Sequence, residues 1–227
     1  MAFILSIETS TTRCSVALHE NGELRSSQAH QVEKSHSSLL PSIVEEILKE
    51  AGRSYQDLDA VAVSSGPGSY TGLRIGVTTA KGFCYSLSIP LISVDTLDSM
   101  LQAVKGKFKG NHFLCPMLDA RRMEVYTKMI NQEMAEVWAL QAKILDEDSL
   151  AAFNKETVYV FGNGMPKFKE IVAQENVVFI EDIYPDASNM GMLAYDKFQA
   201  AKFEDTAYFE PNYLKEWRTT TPKKQLI

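Results

Sequence analysis

A glycine-rich loop, "SSGPGSYTGLRIG" at residues 64–76, has the clearest potential for chemistry. Gly66 and Gly68 permit unusual backbone angles, and free amide groups at the start of a following helix attract anions. The loop therefore predicts either a phosphate-binding segment or a structural turn from a strand into a helix. The common phosphate motifs do not match: no lysine follows Gly72, as a Walker loop requires, and Gly72 comes one residue late for the dinucleotide pattern.

Histidine and carboxylate side chains are spaced poorly for a metal site. His30 and His36 are six residues apart and do not share a helical face, which favours structural or surface roles. Asp95 and Asp98 are three apart, but two carboxylates alone make a poor transition-metal site. Capping of a helix by Asp95 or Thr96 explains this stretch better, so we expect no metal.

Composition restricts the class of protein. The chain has 227 residues, 45% hydrophobic and 23% charged, as is usual for a globular protein. It contains no run of eighteen apolar residues and no basic leader, so we expect neither a membrane span nor a signal peptide. Cys14, Cys84 and Cys115 form no CxxC pair, so neither a disulfide framework nor a zinc site is expected. We interpret Cys84 as a buried structural thiol. Free cysteines of this kind predict a reducing, cytoplasmic location.

The charge pattern argues against direct binding of nucleic acid. The net charge is −6, whereas nucleic-acid-binding proteins usually present a basic face. Only the tail "PNYLKEWRTTTPKKQLI" is basic. A solvated C-terminus explains it best, and an RNA-binding arm is the alternative.

Hydrophobic periodicity indicates the elements that carry these residues. Strands are indicated at "FILSIETS", "CSVALHE" and "LRSSQAH", and Asn21-Gly22 is typical of the hairpin turn between the last two. A helix follows over Leu40 to Ala51. The strand "LDAVAVSS" leads into the glycine loop and a helix from Thr71 to Leu87. A strand at "LISV" and a helix from Asp95 to Lys105 complete this half.

The second half repeats this order after the polar segment "GKFKGNH". Strands are indicated at "FLCPMLDA", "EVYTKMI", "MAEVWALQAKI", "VYVFG" and "VVFI", and helices at "EDSLAAFN", "MPKFKEIVAQ" and "ASNMGMLAYDKFQAAKF". A three-stranded meander followed by parallel crossovers, made twice, is the plan of actin-like ATPase and ribonuclease-H-like proteins. We therefore predict an α/β fold with mixed sheets in two lobes, residues 1–105 and 106–227, the last helix and tail being able to return to the first lobe.

Small residues form a strip on the helix that follows the glycine loop. Gly72, Gly76 and Ala80 are four residues apart, so they share one face. Such a strip lets another helix approach closely; packing of this helix against its own sheet is the alternative. The preceding helix, Leu39 to Leu48, lies beside it in this topology, and the two could form half of an interface between chains. On that basis we expect Gly76→Arg to abolish pairing without unfolding the lobe.

Four phrases resemble the TsaB (YeaZ) family of glycoprotease-like (M22) proteins: "SIETST", "SGPGSYTGLRIG", "DARRMEVY" and "PNYLKEW". The resemblance spans nearly the whole chain. It implies an actin-type fold and a role in making threonylcarbamoyladenosine on tRNA, next to the anticodon. It also implies an accessory, non-catalytic subunit that pairs with a TsaD-like catalytic subunit and works with a TsaE-like ATPase. ATP and metal would be held by those partners, and tRNA would be contacted only through the complex.

The same resemblance implies where the partner binds. The family uses helices of the N-terminal lobe, and without the partner the exposed helices could form a homodimer. The residues of this chain expected there are Leu39, Leu40, Ile43, Ile47, Gly72, Leu73, Gly76, Thr79, Ala80 and Phe83.

A vestigial nucleotide or anion loop is the second expected site. Actin-type ATPases place an Mg²⁺-orienting acid followed by Gly-Thr after the first strand, whereas this chain has Glu8-Thr9-Ser10. Catalytic relatives bind metal through two histidines where this chain has Thr96 and Met100. The residues assigned to the remnant are Glu8, Thr9, Gly66, Gly68, Ser69 and Arg74; Arg74 and Arg121 are the cations expected nearest the cleft.

Two enzymatic alternatives compete with the accessory role. Glu8 and the glycine loop would suit an ATP-dependent kinase or carbamoyl transferase acting alone in the cleft between the lobes. A metalloprotease follows only from the family's older name, and the missing histidine pair argues against it.

Overall fold

The computed structural model describes residues 1–31 and 36–215, without the side chain of His36. Its first five strands form one mixed sheet in the order β3-β2-β1-β4-β5. The strands are β1 (Phe3–Glu8), β2 (Arg13–Glu20), β3 (Glu23–Gln31), β4 (Ala60–Gly66) and β5 (Leu91–Asp95). The first three are antiparallel, whereas β4 and β5 run parallel to β1. The predicted meander with parallel crossovers is therefore confirmed for this sheet.

Three helices accompany the first sheet, α1 (His36–Glu50), α2 (Tyr70–Leu87) and α3 (Thr96–Val104). The first two cover one face, where their apolar residues form a core with those of the strands. A short 3-10 helix, Tyr55–Asp57, connects α1 to β4. The α3 helix instead packs its apolar face against residues of the second sheet, so it lies between the two sheets.

The second sheet has the same plan, in the order β10-β9-β6-β7-β8. Its strands are β6 (His112–Asp119), β7 (Glu124–Asn131), β8 (Glu136–Ile144), β9 (Thr157–Phe161) and β10 (Val177–Ile180). The two helices of this half are α4 (Met165–Lys169) and α5 (Gly191–Gln199). The 3-10 helices Ala151–Phe153 and Ala187–Asn189 complete the described elements.

The helices of the second half are shorter than the sequence predicts. The segment "EDSLAAFN" contains only a 3-10 turn, and the helix from "MPKFKEIVAQ" ends at Lys169. Both segments contain ten residues or fewer, and helices this short are marginal unless tertiary packing stabilises them.

The C-terminal region returns to the first sheet and covers its second face. Ala187, Met190 and Ala194 pack with Ile4 and Ile92 in a separate core cluster. Beyond α5, residues 203–215 run past β5 and α2; we call this segment the strap. The amide of Glu204 donates to the Leu91 carbonyl, and the amide of Asn212 donates to the Ser65 carbonyl. No helix within the described ranges is long and apolar enough to cross a membrane.

Candidate functional site

The glycine loop and α2 pack tightly against the turn that follows β1. A Cβ atom at Gly68 would lie 2.6 Å from the Ser10 carbonyl oxygen, and one at Gly72 would lie 2.1 Å from the Thr9 carbonyl oxygen. The amide of Ser69 donates to the Ser10 carbonyl at 2.7 Å. These glycines are therefore explained by close approach to the chain's own backbone, while anion binding by the loop stays a prediction.

The small-residue strip of α2 faces the protein interior, which corrects one part of the partner prediction. A Cβ at Gly76 would lie 2.3 Å from the Thr9 hydroxyl oxygen, and Ala80 is completely buried. The alternative, packing of the helix against its own sheet, is what the structure shows for this strip. The expectation that Gly76→Arg would leave the fold intact is wrong, because an arginine there has no space.

Other residues predicted to bind the partner are divided between core and surface. Leu40, Ile43, Ile47 and Leu73 are buried in the core beneath α1 and α2. Leu39, Thr79 and Phe83 are half-buried. They lie with Ile75 along the line where α1 meets α2; we call these four residues the seam surface. The Phe83 ring also stacks on Tyr55, with centroids 5.7 Å apart.

Ser69 caps the start of α2, and Arg74 of this helix contacts the strap. The Ser69 hydroxyl accepts the amide of Gly72 at 3.3 Å. The Arg74 guanidinium lies 4.4 Å from the Tyr70 ring centroid, and its Nε donates to the Tyr213 hydroxyl at 3.3 Å. The rings of Tyr70 and Tyr213 lie 4.6 Å apart. Arg74 is thus held against aromatic rings at the outer side of the helix.

Glu8 is completely buried at the end of β1. Its Oε1 accepts the amide of Ser10 at 2.7 Å, whereas its Oε2 and the buried hydroxyl groups of Ser10 and Ser64 have no hydrogen-bond partner among the described residues. Burial raises the pKa of Glu8, and the charge of Asp186 raises it further, while the neighbouring serines lower it. Because burial disfavours the charged form of this carboxyl group, Glu8 is poorly suited to hold a divalent cation.

Asp95 caps α3 beside a charged pair that joins this helix to the second sheet. Its carboxylate accepts the amides of Leu97 and Asp98 at 2.9 and 3.1 Å, which confirms the predicted cap. The Lys128 ammonium on β7 binds the Asp98 carboxylate at 2.7 Å. Burial, then the charge of Asp98, raises the pKa of Asp95 to about 6, despite the opposing effect of Lys128.

The two positions where the catalytic relatives are expected to hold histidines lie inside α3. Thr96 is buried, and its hydroxyl has no hydrogen-bond partner among the described residues. Met100 is completely buried and packs in the core between α3 and the second sheet. Across the described ranges, no three His, Cys, Asp or Glu side chains come close enough to hold a metal ion. His30 is exposed, and the His36 side chain lies outside the described residues.

The turn between β6 and β7 carries two adjacent arginines in the left-handed region. Arg121 has φ 69° and Arg122 has φ 53°, and both are exposed. For a residue with a Cβ atom this conformation costs about 1 to 2 kcal/mol. The Lys167 ammonium stabilises the turn by donating hydrogen bonds to the Asp119 carboxylate at 2.5 Å and to the Arg122 carbonyl at 2.8 Å. The sequence motif singled out Arg121, but nothing in the sequence pointed to the strained turn.

Two cavities lie near residues 182–184, away from the glycine loop. The larger, of about 410 Å³, is bordered by Arg13 and Asp186, which form an ion pair at 2.8 Å. The smaller, of about 160 Å³, lies beside Gly162 and the start of α4. Neither lining includes Glu8 or a residue of the glycine loop. Sequence reasoning missed the Arg13–Asp186 pair, because its members are far apart in the chain.

Comparison with known proteins supports the resemblance seen in the sequence. The family model described as "TsaD: tRNA N6-adenosine threonylcarbamoyltransferase" matches residues 24–224. The protein named "tRNA threonylcarbamoyladenosine biosynthesis protein TsaB" from Escherichia coli (strain K12) is 30% identical over 221 residues, which cover 93% of this chain and 94% of that protein.

Solved structures confirm the fold. The structure titled "YeaZ from Pseudomonas aeruginosa" matches with a TM-score of 0.79 and 25% identity, over 94% of this chain and all of that one. The activator of 2-hydroxyisocaproyl-CoA dehydratase from Clostridium difficile matches with a TM-score of 0.51 over 90% of this chain and 98% of that one, at 10% identity, which concerns the fold alone. The predicted actin-like α/β fold with two mixed five-stranded sheets is therefore confirmed. With its near full-length similarity to named relatives, the chain belongs to the TsaB (YeaZ) family.

Proposed function

We propose that this chain is an accessory, non-catalytic subunit in the synthesis of threonylcarbamoyladenosine in tRNA. It pairs with a TsaD-like catalytic subunit and works with a TsaE-like ATPase in the cytoplasm, and those partners hold ATP and metal. The observation that carries the proposal is the 30% identity to a TsaB protein over 94% of that protein's length.

Three features of the chain support a non-catalytic role. Gly68 and Gly72 of the glycine loop are accounted for by close approach to the chain's own Ser10 and Thr9 backbone, so a bound phosphate is not needed to explain them. Glu8, at the position of the Mg²⁺-orienting acid of actin-type ATPases, is buried with a raised pKa. Met100, at one expected metal-ligand position, contributes to the hydrophobic core.

The seam surface contains three residues of the predicted partner contact, Leu39, Thr79 and Phe83, together with Ile75, and another protein can reach it. Ile75, Thr79 and Phe83 follow one another at four-residue spacing along α2, and Leu39 of α1 packs against the same core cluster as Ile75 and Phe83. All four are only partly covered by the chain itself. A partner helix placed there would bury their remaining apolar surface, and when the partner is absent a second copy of this chain would cover it.

Thr79→Arg tests this contact. Thr79 is half-buried at the centre of the seam surface, so a long charged side chain would keep a partner helix from packing there without entering the core. We expect the variant to fold normally and to lose pairing with the TsaD-like subunit by at least about tenfold in affinity, as for a hot-spot residue. Size-exclusion chromatography and calorimetric titration measure the pairing, and light scattering measures the homodimer.

Thr78→Arg is the matched control. Thr78 immediately precedes Thr79 in the sequence and is exposed, and it points about 100° around the helix axis from Thr79. The same change of side chain there should leave pairing intact. Equal pairing by both variants would contradict the assignment of the seam surface.

The accessory role itself is tested by omission. The chain, the TsaD-like subunit and the TsaE-like ATPase from the same organism are combined with tRNA and the precursors of the modification, and each protein is left out in turn. Mass spectrometry of the digested tRNA should detect the modified nucleoside only when all three are present. Modification by this chain alone, or micromolar binding of ATP with Mg²⁺ by the isolated chain, would favour the alternative of an independent enzyme.

A further inference from the structure

The described chain passes twice between its two sheets. It leaves the first sheet where β5 joins α3, because α3 packs against the second sheet. It returns after β10, where Ala187 begins the part of the chain that covers the first sheet. We call the first sheet with α1, α2 and α5 the first unit, and the second sheet with α3 and α4 the second unit. Hinges between packed units usually lie at a few residues at the ends of elements, as at these two crossings.

The strap forms a third connection between the units. The amide of Asn212 donates to the Ser65 carbonyl near the end of β4, and the ring centroid of Tyr213 lies 4.6 Å from that of Tyr70 at the start of α2. Lys215 then reaches the turn between β6 and β7 in the second unit. A short length of chain, from Asn212 to Lys215, therefore leads from one unit to the other.

This third connection lies on the opposite side of the first sheet from the two crossings. Both crossings adjoin the 3-10 helix Ala187–Asn189, because the chain enters it directly after its return and α3 contacts it. That helix packs on the face of the sheet that α5 covers. The strap instead leaves the first unit from α2, which covers the other face. A rotation about the two crossings would therefore change the distance that the strap spans.

Lys215 makes several contacts at its end of the connection. Its ammonium donates hydrogen bonds to the Ala120 carbonyl and the Glu124 carboxylate, and it lies 5.8 Å from the centroid of the Tyr126 ring. The side chains of Lys215 and Glu124 are 35% and 25% exposed, so this ion pair is shielded from much of the solvent. Partly buried pairs are screened by salt less than exposed ones, and hydrogen bonds between charged groups are stronger than neutral ones.

The turn that Lys215 contacts is itself firmly held. The Lys167 ammonium of α4 donates to the Glu124 carbonyl, and the Met123 carbonyl accepts the amide of Leu145 beyond β8. These bonds attach the turn to two other parts of the second unit. Lys215 is therefore joined to the second unit as a whole.

The strap is held by contacts that break more easily than those of the core. None of its residues is fully buried, although Phe209 packs against the core beneath α1 and α2. Other contacts are individual hydrogen bonds, such as that from the Lys81 ammonium to the Ala207 carbonyl. Segments with few buried apolar contacts open at a lower free energy than core strands. Opening of the strap would leave the units joined through the two crossings and the packing of α3 beside them.

We propose that the strap is a latch that fixes the arrangement of the two units. While Lys215 is bound to the turn between β6 and β7, the latch is closed, as in the structure described. When Lys215 is released, the units rotate about the two crossings, and the turn moves away from the glycine loop to which the strap ties it. The inference goes beyond the proposed function and does not depend on it, because it concerns contacts within this chain.

The double variant Tyr213→Ala/Lys215→Ala tests the latch without changing either sheet. It removes the ring contact with Tyr70 and the hydrogen bonds to the turn. Both residues lie on the strap, so the two cores stay intact, and circular dichroism should show nearly the same unfolding temperature as for the wild type. Glu124→Ala breaks the same ion pair from the second unit and repeats the test with an unaltered strap.

Spin labels measure the distance between the units in the full chain. Thr78→Cys in the first unit and Ala139→Cys in the second provide exposed attachment points away from the strap. The native cysteines are buried, so the labels attach to the introduced thiols. Double electron–electron resonance then gives the distribution of distances for each strap variant.

We expect a single narrow distribution for the unaltered strap and a second, longer distance for the double variant. The ratio of open to closed molecules should rise at least about tenfold, which is the effect of losing hydrogen bonds to a charged group. Glu124→Ala should shift the distribution in the same direction. Lys215→Arg, which keeps the cation, should remain closed.

The matched control is Lys202→Ala/Tyr208→Ala, which removes the same two residue types near the start of the strap. Lys202 is exposed, and Tyr208 is 82% exposed. Within the described residues neither side chain belongs to an ion pair. This variant should keep the single narrow distribution.

Amide exchange of Asn212 separates release of the strap from movement of the units. Faster exchange together with the longer distance in the double variant would support the latch. Faster exchange with an unchanged distance would overturn it, because the strap would then open without freeing the units. An unchanged distance in both the double variant and Glu124→Ala would overturn it whatever the exchange rate. A longer distance in the control variant would also overturn it, since the rotation would not depend on Lys215.

Discussion

Glu8, which the sequence assigned to a vestigial nucleotide loop, lies where a carboxylate is poorly solvated. Its carboxyl group is completely buried, and only Oε1 has a hydrogen-bond partner among the described residues. The folded protein therefore favours the neutral acid, whereas in the unfolded chain water stabilises the carboxylate. The sequence indicated the position of Glu8, but not its degree of burial, which depends on α2 and on residues near Asp186.

Glu8→Gln should change the pH dependence of stability. Because the pKa of Glu8 is raised in the folded state, Glu8 contributes fully to the free energy of unfolding below the ordinary pKa of glutamate. This contribution is lost as the pH rises through the folded-state pKa. Glutamine has the same shape and does not ionise. We expect the variant to gain stability relative to wild type with rising pH above about 4.5, by at most about 1.4 kcal/mol per pH unit. Urea unfolding at a series of pH values measures this difference.

Glu46→Gln provides the control for this experiment. Glu46 is exposed on α1, so its replacement should leave the stability difference from wild type nearly constant with pH. Parallel stability curves for wild type and Glu8→Gln would contradict a raised pKa of Glu8 in the folded protein.

The α2 helix uses glycine for different reasons along its length. Gly72 and Gly76 allow the helix to lie directly on the Thr9 backbone and side chain, whereas Gly82 is exposed, and a Cβ atom there would have no neighbouring atom within 4 Å. The spacing of small residues in the sequence correctly indicated a close approach. It could not say whether the approaching element belongs to the same chain or to another, because either produces the same spacing.

Two alanine substitutions in α2 should have opposite effects. Gly72→Ala places a methyl group against the Thr9 carbonyl, and we expect a loss of about 2 to 3 kcal/mol in the free energy of unfolding. Gly82→Ala meets open space and reduces the entropy of the unfolded chain, so we expect a gain of up to about 1 kcal/mol. Denaturant unfolding of both variants measures the difference, and equal effects would contradict the packing described for Gly72.

Local signals predicted the long elements well and the short ones poorly. The Asn21-Gly22 turn, the Ser69 and Asp95 caps and the extent of α2 follow from residue types next to one another in the chain. The ends of α4 and the strap depend on contacts with distant residues. Those contacts leave no periodic pattern in the sequence, so the sequence alone could not indicate them.

At the scale of the whole molecule, the first sheet depends on the end of the chain. One face is covered by α1 and α2, and the other is covered by Ala187, Met190 and Ala194 around α5. The repeated order of elements in the sequence predicted two similar sheets. The sequence did not indicate which of the two sheets α5 would cover, because that depends on side-chain packing between residues far apart in the chain.

A fragment of residues 1–105 should therefore fail to fold by itself. Without α5 it exposes Ile4, Ile92 and Val94, which are buried in the full chain. The same fragment joined by a flexible linker to residues 186–227 should unfold more cooperatively than the short fragment, because the cover of the first sheet is restored while the apolar face of α3 stays uncovered. Circular dichroism and amide hydrogen exchange compare the two, and cooperative unfolding of the short fragment would contradict this dependence.

The late arrival of α5 affects the protein while it is still being made. The strand β5 ends at Asp95 and α5 begins at Gly191, so the ribosome needs roughly 5 to 20 s to translate from one to the other. Throughout that interval the nascent chain carries an uncovered patch of isoleucine, valine and alanine on its first sheet. Such a patch is a binding site for chaperones that act on nascent chains. Slow translation of the second half would prolong the lifetime of this aggregation-prone intermediate.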